Sequence, residues 1–359
     1  MTLRVDGIVA PWTSALWSET SGAAAACEEA GYGTFWLAEE SHDPMVSLAA
    51  AAGRTSSIGL GSCVSVALAR SPMTLAYTAN DLHELSGGRF VLGLGAQVAA
   101  HLTHRFSMPA DQPVARMREF VAALREIWAC WNDGRPLDFR GRFYTHTLMP
   151  PKFAPPPNPY GPPPVFLAAI GRRMAQLAGE CADGLIAPPF SSDRHLREVL
   201  LPSAERGLER SGRSREDFTV VCVPTVITGR TAQERAAGRK LVTDLVARSL
   251  GAASYRPLLE LDGLGWLNDE LVTLSLGADE DKWRRMSDLV DGDLLDVLAV
   301  DVPMREVGAA LKRRYGGLAD RIIMAAPYGT QAGLWDHTAL GLSTADSRLV
   351  GKGHGCGRR

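Results

Sequence analysis

The sequence DLHELSGGRFVLGLG, residues 81–95, contains the clearest signals of fold class in the chain. Residues 81–85 end a helical pattern, and residues 86–88 (SGG) stop it, because glycine adopts backbone angles that other residues avoid. Residues 89–95 then form a short apolar strand with glycines at its C-terminal end. Such glycines let a backbone approach a ligand closely. Helix, glycine stop and buried strand in this order indicate a repeated βα fold.

The same alternation of helical patterns, stop signals and buried strands recurs along the chain. Eight short buried strands, nearly all separated by helical patterns, favour a (β/α)8 TIM barrel. A doubly wound parallel sheet has a similar periodicity, so the pattern alone leaves both folds open. The predicted strands cover residues 3–10, 34–38, 58–66, 90–95, 165–170, 184–188, 218–228 and 320–326.

Two long segments interrupt the repeat. Residues 232–303 are too long for one crossover helix, so we expect a helical insertion or lid before the last strand. Residues 150–164, PPKFAPPPNPYGPPP, fit either an interdomain linker or a surface loop. We favour the loop, because another strand begins at once. The chain is therefore expected to be one domain over residues 1–340, followed by a disordered tail over 341–359.

The bulk composition excludes several classes of protein. A formal charge of -2 and a sequence pI near 6.5 argue against nucleic-acid binding and a polybasic membrane role. Six cysteines without CxxC or metal-ligand spacing are typical of reduced thiols in a cytoplasmic protein without a metal site. The N-terminus lacks a signal-peptide core, and no apolar run approaches the roughly 18 residues of a membrane span.

A polar cluster follows the second predicted strand. Glu39, Glu40, His42 and Asp43 lie at a strand end, where TIM-barrel enzymes place catalytic groups. A carboxylate or an imidazole there can exchange a proton with a substrate, so Glu40 and His42 are the catalytic candidates. The alternative is helix capping by acidic groups before Pro44, which suits Asp43 well.

Five motifs occur together in this chain: SGGRFVLGLG at 86–95, RSPM at 70–73, HLTHRF at 101–106, RMREFVAALREIW at 116–128, and VFLAAIGRRMAQLAGECADGLI at 165–186. In their order and spacing they resemble the bacterial luciferase-like family, and within it the branch that uses the deazaflavin coenzyme F420. The resemblance extends over residues 4–326 and implies a TIM barrel that holds the cofactor across its C-terminal face. Dimers are common in the family, so a homodimer is an open expectation.

The resemblance also implies cofactor-binding residues near the ring. A non-proline cis peptide would fall at Cys63–Val64 and form a bulge that supports the ring; the alternative is an ordinary strand with a buried cysteine. Gln97 and His101 correspond to polar positions near the ring and its ribityl chain, or else belong to a surface loop. An Asp-His pair of the family falls on Glu39 and Glu40. This departure leaves the identity of the acid open.

The end of the fifth predicted strand is the candidate phosphate site. Small residues there expose backbone N–H groups, and the start of the next helix favours anions. The alternative is a plain βα turn, since the segment is neither GxGxxG nor a P-loop; the resemblance favours the phosphate site. The residues concerned are Ala168, Ala169, Ile170, Gly171 and Arg172.

These observations predict a flavin-type oxidoreductase. With coenzyme F420, hydride would pass between the cofactor and a small organic substrate, at an activated C=C, C=N or C=O bond or in reverse on an alcohol. Two alternatives stay open: an FMN-dependent monooxygenase on the same barrel, and a non-catalytic barrel that binds a flavin or a partner.

Overall fold

Parallel strands close into a barrel in the computed structural model, which describes residues 3–8 and 17–324. The barrel strands, in chain order, are β1 Arg4–Ile8, β2 Thr34–Leu37, β3 Gly59–Ser62, β4 Ser65–Val66, β5 Phe90–Gly95, β8 Val165–Ala168, β9 Gly184–Ile186, β10 Thr219–Cys222 and β13 Arg321–Met324; β6 Phe139–Arg140 and β7 Thr145–His146 form a separate hairpin. Neighbouring strands pair in parallel around the barrel, with β3 and β4 both pairing with β5, and β13 pairs back with β1. The predicted (β/α)8 TIM barrel is confirmed, and the doubly wound sheet is excluded.

The third barrel strand is made of two pieces. Both β3 and β4 pair with β5, β3 through Leu60 and β4 through Ser65. The chain leaves the strand between them, at Cys63 and Val64. The sheet therefore has eight strand positions, and the third one carries a bulge near its C-terminal end.

Helices surround the barrel and return the chain between strands. Three of them have proline at the first helical position, where the missing N–H costs no intrahelical bond. The helices that follow barrel strands are α1 Trp17–Glu29, α2 Pro44–Ala52, α3 Pro72–Leu85, α4 Ala99–His104, α5 Pro113–Asp133, α6 Arg172–Cys181, α7 Asp193–His195 and, after a π-helical turn at Leu196–Leu200, α8 Leu201–Ser211. No described helix is long and apolar enough to cross a membrane.

A buried ion pair fills the lower part of the barrel. Arg321 and Asp6 are enclosed completely, and Arg321 Nε donates to Asp6 Oδ2 at 2.7 Å. Trp36 Nε1 donates to the same carboxylate at 2.9 Å, and Arg321 also donates to Thr34 Oγ1. A buried charge is tolerated only when it is paired and hydrogen-bonded, as here. The interior above this layer is left to apolar side chains, beginning with Trp36.

The predicted seventh strand, residues 218–228, is wrong as one strand. It divides into β10 and a second strand, β11 Thr225–Ile227, which leaves the barrel. Pro224 lies between them and has no N–H to donate to a ladder. After the insertion, β11 pairs in parallel with β12 Ala299–Asp301, which the sequence did not predict.

The insertion after β11 is mainly helical and has a core of its own. Its helices are α9 Ala232–Leu250, α10 Arg256–Leu261, α11 Gly265–Leu276, α12 Lys282–Asp288 and α13 Gly292–Leu298, and the chain returns to the barrel through α14 Val307–Tyr315. Ile170 and Phe190, from loops after β8 and β9, pack against this core. The insertion therefore lies against the C-terminal end of the barrel on the β8–β9 side.

The proline-rich segment at 150–164 joins two neighbouring strands of one barrel, so it is not an interdomain linker. Asn158 fixes it to the helical layer, since its amide nitrogen donates to Asn80 Oδ1 at 3.1 Å and its backbone N–H donates to Asn132 Oδ1 at 2.8 Å. The predicted tail at 341–359 and the end of the last predicted strand lie outside the described residues.

Candidate active site

The bulge after β3 forms one side of the mouth of the barrel. The Cys63–Val64 peptide bond is cis, as the family resemblance implies. Two glycines of β5 make room for the bulge: a side chain at Gly93 would overlap the Ser62 carbonyl, and one at Gly95 would overlap Val64. We expected these glycines to admit a ligand. The structure corrects this, because the space beside them is occupied by the bulge.

Small apolar side chains form a floor at the C-terminal end of the barrel. Cys63, Val64 and Ala168 are half-buried and pack on the interior cluster that contains Trp36 and Phe166. Burial of the Cys63 thiol raises its pKa to about 12. The negative charge of Asp6 adds a smaller effect in the same direction. The thiol therefore stays protonated, so the floor is neutral and apolar. We call these three residues the ring floor.

Glu39 and Asp43 are both paired with Arg70. Arg70 Nη1 lies 2.6 Å from Glu39 Oε2, and Arg70 Nη2 lies 3.0 Å from Asp43 Oδ2. The Glu39 carboxylate also accepts from the Val66 N–H at 2.8 Å. Asp43 caps α2 by accepting from the Met45 N–H. Glu39 was predicted to bind cofactor, but its carboxylate is turned to Val66 and Arg70.

Glu40 and His42 line an open pocket of about 430 Å³ beside this group. Arg105 and Phe106 close its other side, and Arg105 Nη2 donates to the Glu40 carbonyl at 2.7 Å. The Glu40 side chain is exposed, yet its concave surroundings desolvate the carboxyl and raise its pKa to about 7. Solvent at the exposed carboxyl limits this shift. Because Asp43 provides the helix cap, capping does not explain Glu40 or His42.

Gln97 and His101 follow β5 on the same side of the barrel. Gln97 has a left-handed backbone, with φ 64°. Its side-chain Oε1 accepts a hydrogen bond from the Val98 N–H, and its Nε2 donors take no part in that contact. His101 lies exposed on α4. Both residues therefore follow the C-terminal end of β5, and their contact with a ring or ribityl chain stays a prediction.

The turn from β8 into α6 leaves room for a ligand. Gly171 is the N-cap of α6, and a Cβ built on it would meet no atom within 4 Å. The first amides of a helix have no intrahelical acceptor and favour an anion. Ala169 points into the outer core instead, so it offers only its backbone. The Arg172 guanidinium reaches the Glu198 carbonyl at 3.4 Å.

Sequence reasoning missed the role of His195. Its ring is 1% exposed, and Nε2 lies 2.9 Å from the Ile170 carbonyl. Since a carbonyl only accepts, Nε2 carries the hydrogen; burial lowers the pKa of this imidazole. The contact fixes the peptide that precedes Gly171. The sequence indicates a helix start at Ser192, a typical N-cap residue. No local sequence pattern indicates that residue 195 contacts residue 170.

A larger groove of about 600 Å³ lies elsewhere, between α7, β12 and α14. It is polar, with Asp262, Asp301 and Arg314 among its lining residues, and it contains none of the predicted site residues. We place the candidate site at the C-terminal end of the barrel, because both the pocket beside Glu40 and the ring-floor residues lie at the C-terminal ends of barrel strands. Within residues 3–8 and 17–324, no group of three or more His, Cys, Asp or Glu side chains is arranged to hold a metal ion.

Comparison with known proteins agrees with this architecture. The uncharacterized protein Rv1360 of Mycobacterium tuberculosis is 44% identical over 322 residues, covering 89% of this chain and 92% of that protein. The 5,10-methylenetetrahydromethanopterin reductase of Archaeoglobus fulgidus is 25% identical over 305 residues, covering 84% and 87%.

Solved structures share the fold at low sequence identity. The coenzyme F420-dependent tetrahydromethanopterin reductase of Methanopyrus kandleri superposes with a TM-score of 0.74 at 17% identity, covering 96% of this chain and 97% of that one. The EDTA monooxygenase of Chelativorans sp. BNC1 gives 0.71 at 17% identity, with 97% of both chains covered. The family model described as luciferase-like monooxygenase matches residues 7–321. The chain is therefore an oxidoreductase enzyme that belongs to the luciferase-like monooxygenase family.

Proposed function

We propose that this enzyme uses the deazaflavin coenzyme F420 to exchange hydride with a small organic substrate. The substrate bond is an activated C=C, C=N or C=O, or the alcohol of the reverse reaction. The observation that carries the proposal is the placement of the Glu40 carboxyl, which follows the C-terminal end of β2 and lines an open pocket, where desolvation raises its pKa to about 7. The F420-dependent enzyme of Methanopyrus kandleri, with the same fold, supports it.

The residues at the mouth fit a flat ring that carries a phosphorylated side chain. The ring floor of Cys63, Val64 and Ala168 offers a neutral apolar surface. The open space at Gly171, next to the free amides of α6, suits the phosphate. When bound, the reduced deazaflavin supplies the hydride. The chain's own part is to orient the ring and to move a proton.

Glu40 is the group best suited to the proton. Reduction of a substrate leaves negative charge on it, and a positioned acid removes that charge. A carboxyl with a pKa of about 7 is partly protonated at neutral pH, so it serves as acid in one direction and base in the other. His42 lines the same pocket and is the second candidate.

The FMN-dependent monooxygenase is the competing function, because the EDTA monooxygenase shares the fold. Titrating the apoprotein with coenzyme F420 and with FMN distinguishes them. We expect F420 to bind at least about tenfold more tightly, which corresponds to roughly 1.4 kcal/mol. Equal or tighter binding of FMN would overturn the proposal. Tight F420 binding without turnover of any such acceptor would overturn the proposed hydride transfer.

A further inference from the structure

Glu39 and Arg70 hold the backbone of β4 from the side of β2. Glu39 follows β2, its side chain is 7% exposed, and its carboxylate accepts from the Val66 N–H at 2.8 Å. Arg70 Nη1 donates to the same carboxylate oxygen and also to the Val66 carbonyl at 3.2 Å. Both polar groups of Val66 are therefore bonded to this pair.

Val66 comes two residues after Val64 of the ring floor, so the pair fixes one side of the floor. The opposite side is fixed by Ser62, whose hydroxyl donates to the Gly93 carbonyl at 2.8 Å and accepts from the Gly93 N–H. Between these supports, Cys63 keeps one ladder bond, from its N–H to the Leu37 carbonyl. The Cys63–Val64 part of the floor is thus held at both ends by side-chain hydrogen bonds, in addition to the pairing of β3 and β4 with β5.

Arg70 also sets the charge balance of the pocket. It pairs with both Glu39 and Asp43, at 2.6 and 3.0 Å, and so offsets one of their two negative charges. Among the described residues no ion pair involves the Glu40 carboxylate. Arg105 contacts only its backbone carbonyl. The charged and titratable groups facing Glu40 in the pocket are Glu39, His42, Asp43, Arg70 and Arg105.

We propose that Arg70 and Glu39 are positioning residues, which seat the ring floor and leave Glu40 as the one carboxyl of the pocket without an ion pair to any described residue. The inference rests on the proposed function of this site, because it assigns the ring to that floor. It makes two separate statements. The first concerns the affinity for the ring, and the second concerns the pH at which Glu40 titrates.

The first statement is tested by replacing each member of the pair. Arg70→Gln and Glu39→Gln should each weaken binding of coenzyme F420, and of its phosphate-free deazariboflavin core, by at least about tenfold. Both probes should be affected, because the ring end is disturbed and the phosphate end is not. The double variant should lose little more than either single variant, since the residues act as one unit.

A matched control comes from the other end of the barrel. Asp183 accepts from the Val165 N–H at 2.8 Å and pairs with Arg125, so the same arrangement holds the start of β8. Arg125→Gln should lower the melting temperature and leave both affinities within twofold of wild type. If Arg70→Gln lowers stability and leaves ring affinity unchanged, the pair is merely structural and the first statement is wrong.

The second statement is tested without any ligand. In Arg70→Gln, Glu39 and Asp43 lose their counter-ion, so their charges should raise the pKa of Glu40. The side-chain carboxyl of Glu40, followed by NMR, should titrate at higher pH than in wild type. Arg70→Lys keeps the charge but cannot form the whole fork of bonds, so it should keep the titration and lose ring affinity.

The outcomes separate this inference from the proposed function. An unchanged Glu40 titration in Arg70→Gln would overturn the electrostatic statement, whatever cofactor binds. If wild type prefers FMN, the proposed function fails. FMN and riboflavin then replace the two deazaflavin probes, and the same losses are expected. Equal affinities of wild type and Arg70→Gln for whichever flavin binds would overturn the positioning role.

Discussion

At the scale of single residues, the proposed chemistry rests on one exposed carboxyl that lines a pocket. Desolvation raises the pKa of Glu40 to about 7, while neighbouring Glu39 and Asp43 are paired with Arg70. An acid donates only while it is protonated. The rate of substrate reduction should therefore fall as pH rises through about 7, and the reverse reaction should gain over the same range.

Glu40→Gln keeps the shape of the side chain but removes the proton. We expect turnover to fall by about 10²–10⁴-fold, with F420 binding retained and with the limb of the pH profile near 7 lost. Single-turnover oxidation of bound reduced deazaflavin by an enone measures this. His42→Gln is the matched comparison in the same pocket. Full rates in both variants would exclude this pair and move the assignment to Gln97 or His101.

Gly171 tests the phosphate end independently. A Cβ added there meets no atom of the described residues within 4 Å apart from its chain neighbours, so the start of a valine side chain finds open space. Gly171→Val should therefore change stability by less than about 1 kcal/mol, the usual scale of cap effects. Coenzyme F420 should bind at least about tenfold more weakly, while its phosphate-free core binds as before. Unchanged F420 affinity would place the phosphate elsewhere.

At the scale of elements, Glu28 joins the end of α1 to the start of β3. Its carboxylate accepts from the N–H groups of Ser56, Ser57 and Ile58 and from the Ser57 hydroxyl. Burial alone raises the pKa of this carboxyl, but the hydrogen bonds outweigh it and lower the pKa from 4.5 to about 2. The bonds to the ionised form therefore stabilise the fold above pH 4.5, and this contribution is lost as pH falls through about 2.

Glu28→Gln should lower the free energy of unfolding at pH 7 by about 1 kcal/mol, since a hydrogen bond to a partly exposed charge is worth less than a buried one. Urea unfolding at pH 7 and at pH 2.5 measures it, and the difference from wild type should shrink at the lower pH. Glu29→Gln, the exposed neighbour, is the control. Equal losses at both pH values would show that the charge is not what stabilises.

The strand order of the barrel was predictable because each strand is a local apolar run with its own stop signal. Pro224 marks the division of the predicted seventh strand, but it lies within a β-branched run that favours one continuous strand. The strand β12 was not visible, because its three residues become a strand only by pairing with β11, which lies across the whole insertion. Short strands of this kind are defined by tertiary contacts rather than propensity.

The candidate site, like the fold, was only partly predictable from the sequence. Glu40 and His42 follow from the strand-end rule, and the family resemblance located Cys63, Val64 and Gly171. Contacts between distant residues stayed hidden: Glu39 meets Arg70 across 31 positions, and His195 meets Ile170 across 25. Sequence spacing cannot show such pairs, since the barrel brings together side chains that follow different strands.

At the scale of the whole molecule, the barrel and the insertion are expected to form different parts of the binding site. In the proposed site, the C-terminal end of the barrel would provide the surface for the ring and the groups that move the proton. The insertion packs its separate core against Ile170 and Phe190, next to the proposed phosphate turn. Cofactor and substrate are therefore expected to meet between the mouth of the barrel and the insertion.

A crystal structure of the protein soaked with coenzyme F420 tests this arrangement most directly. The account predicts density for the ring against Cys63 and Val64, the phosphate at the amides that begin with Gly171, and the Glu40 carboxyl facing the open side of the ring. Density for the cofactor in the groove between α7, β12 and α14, or a ring away from the floor with its phosphate elsewhere, would contradict it.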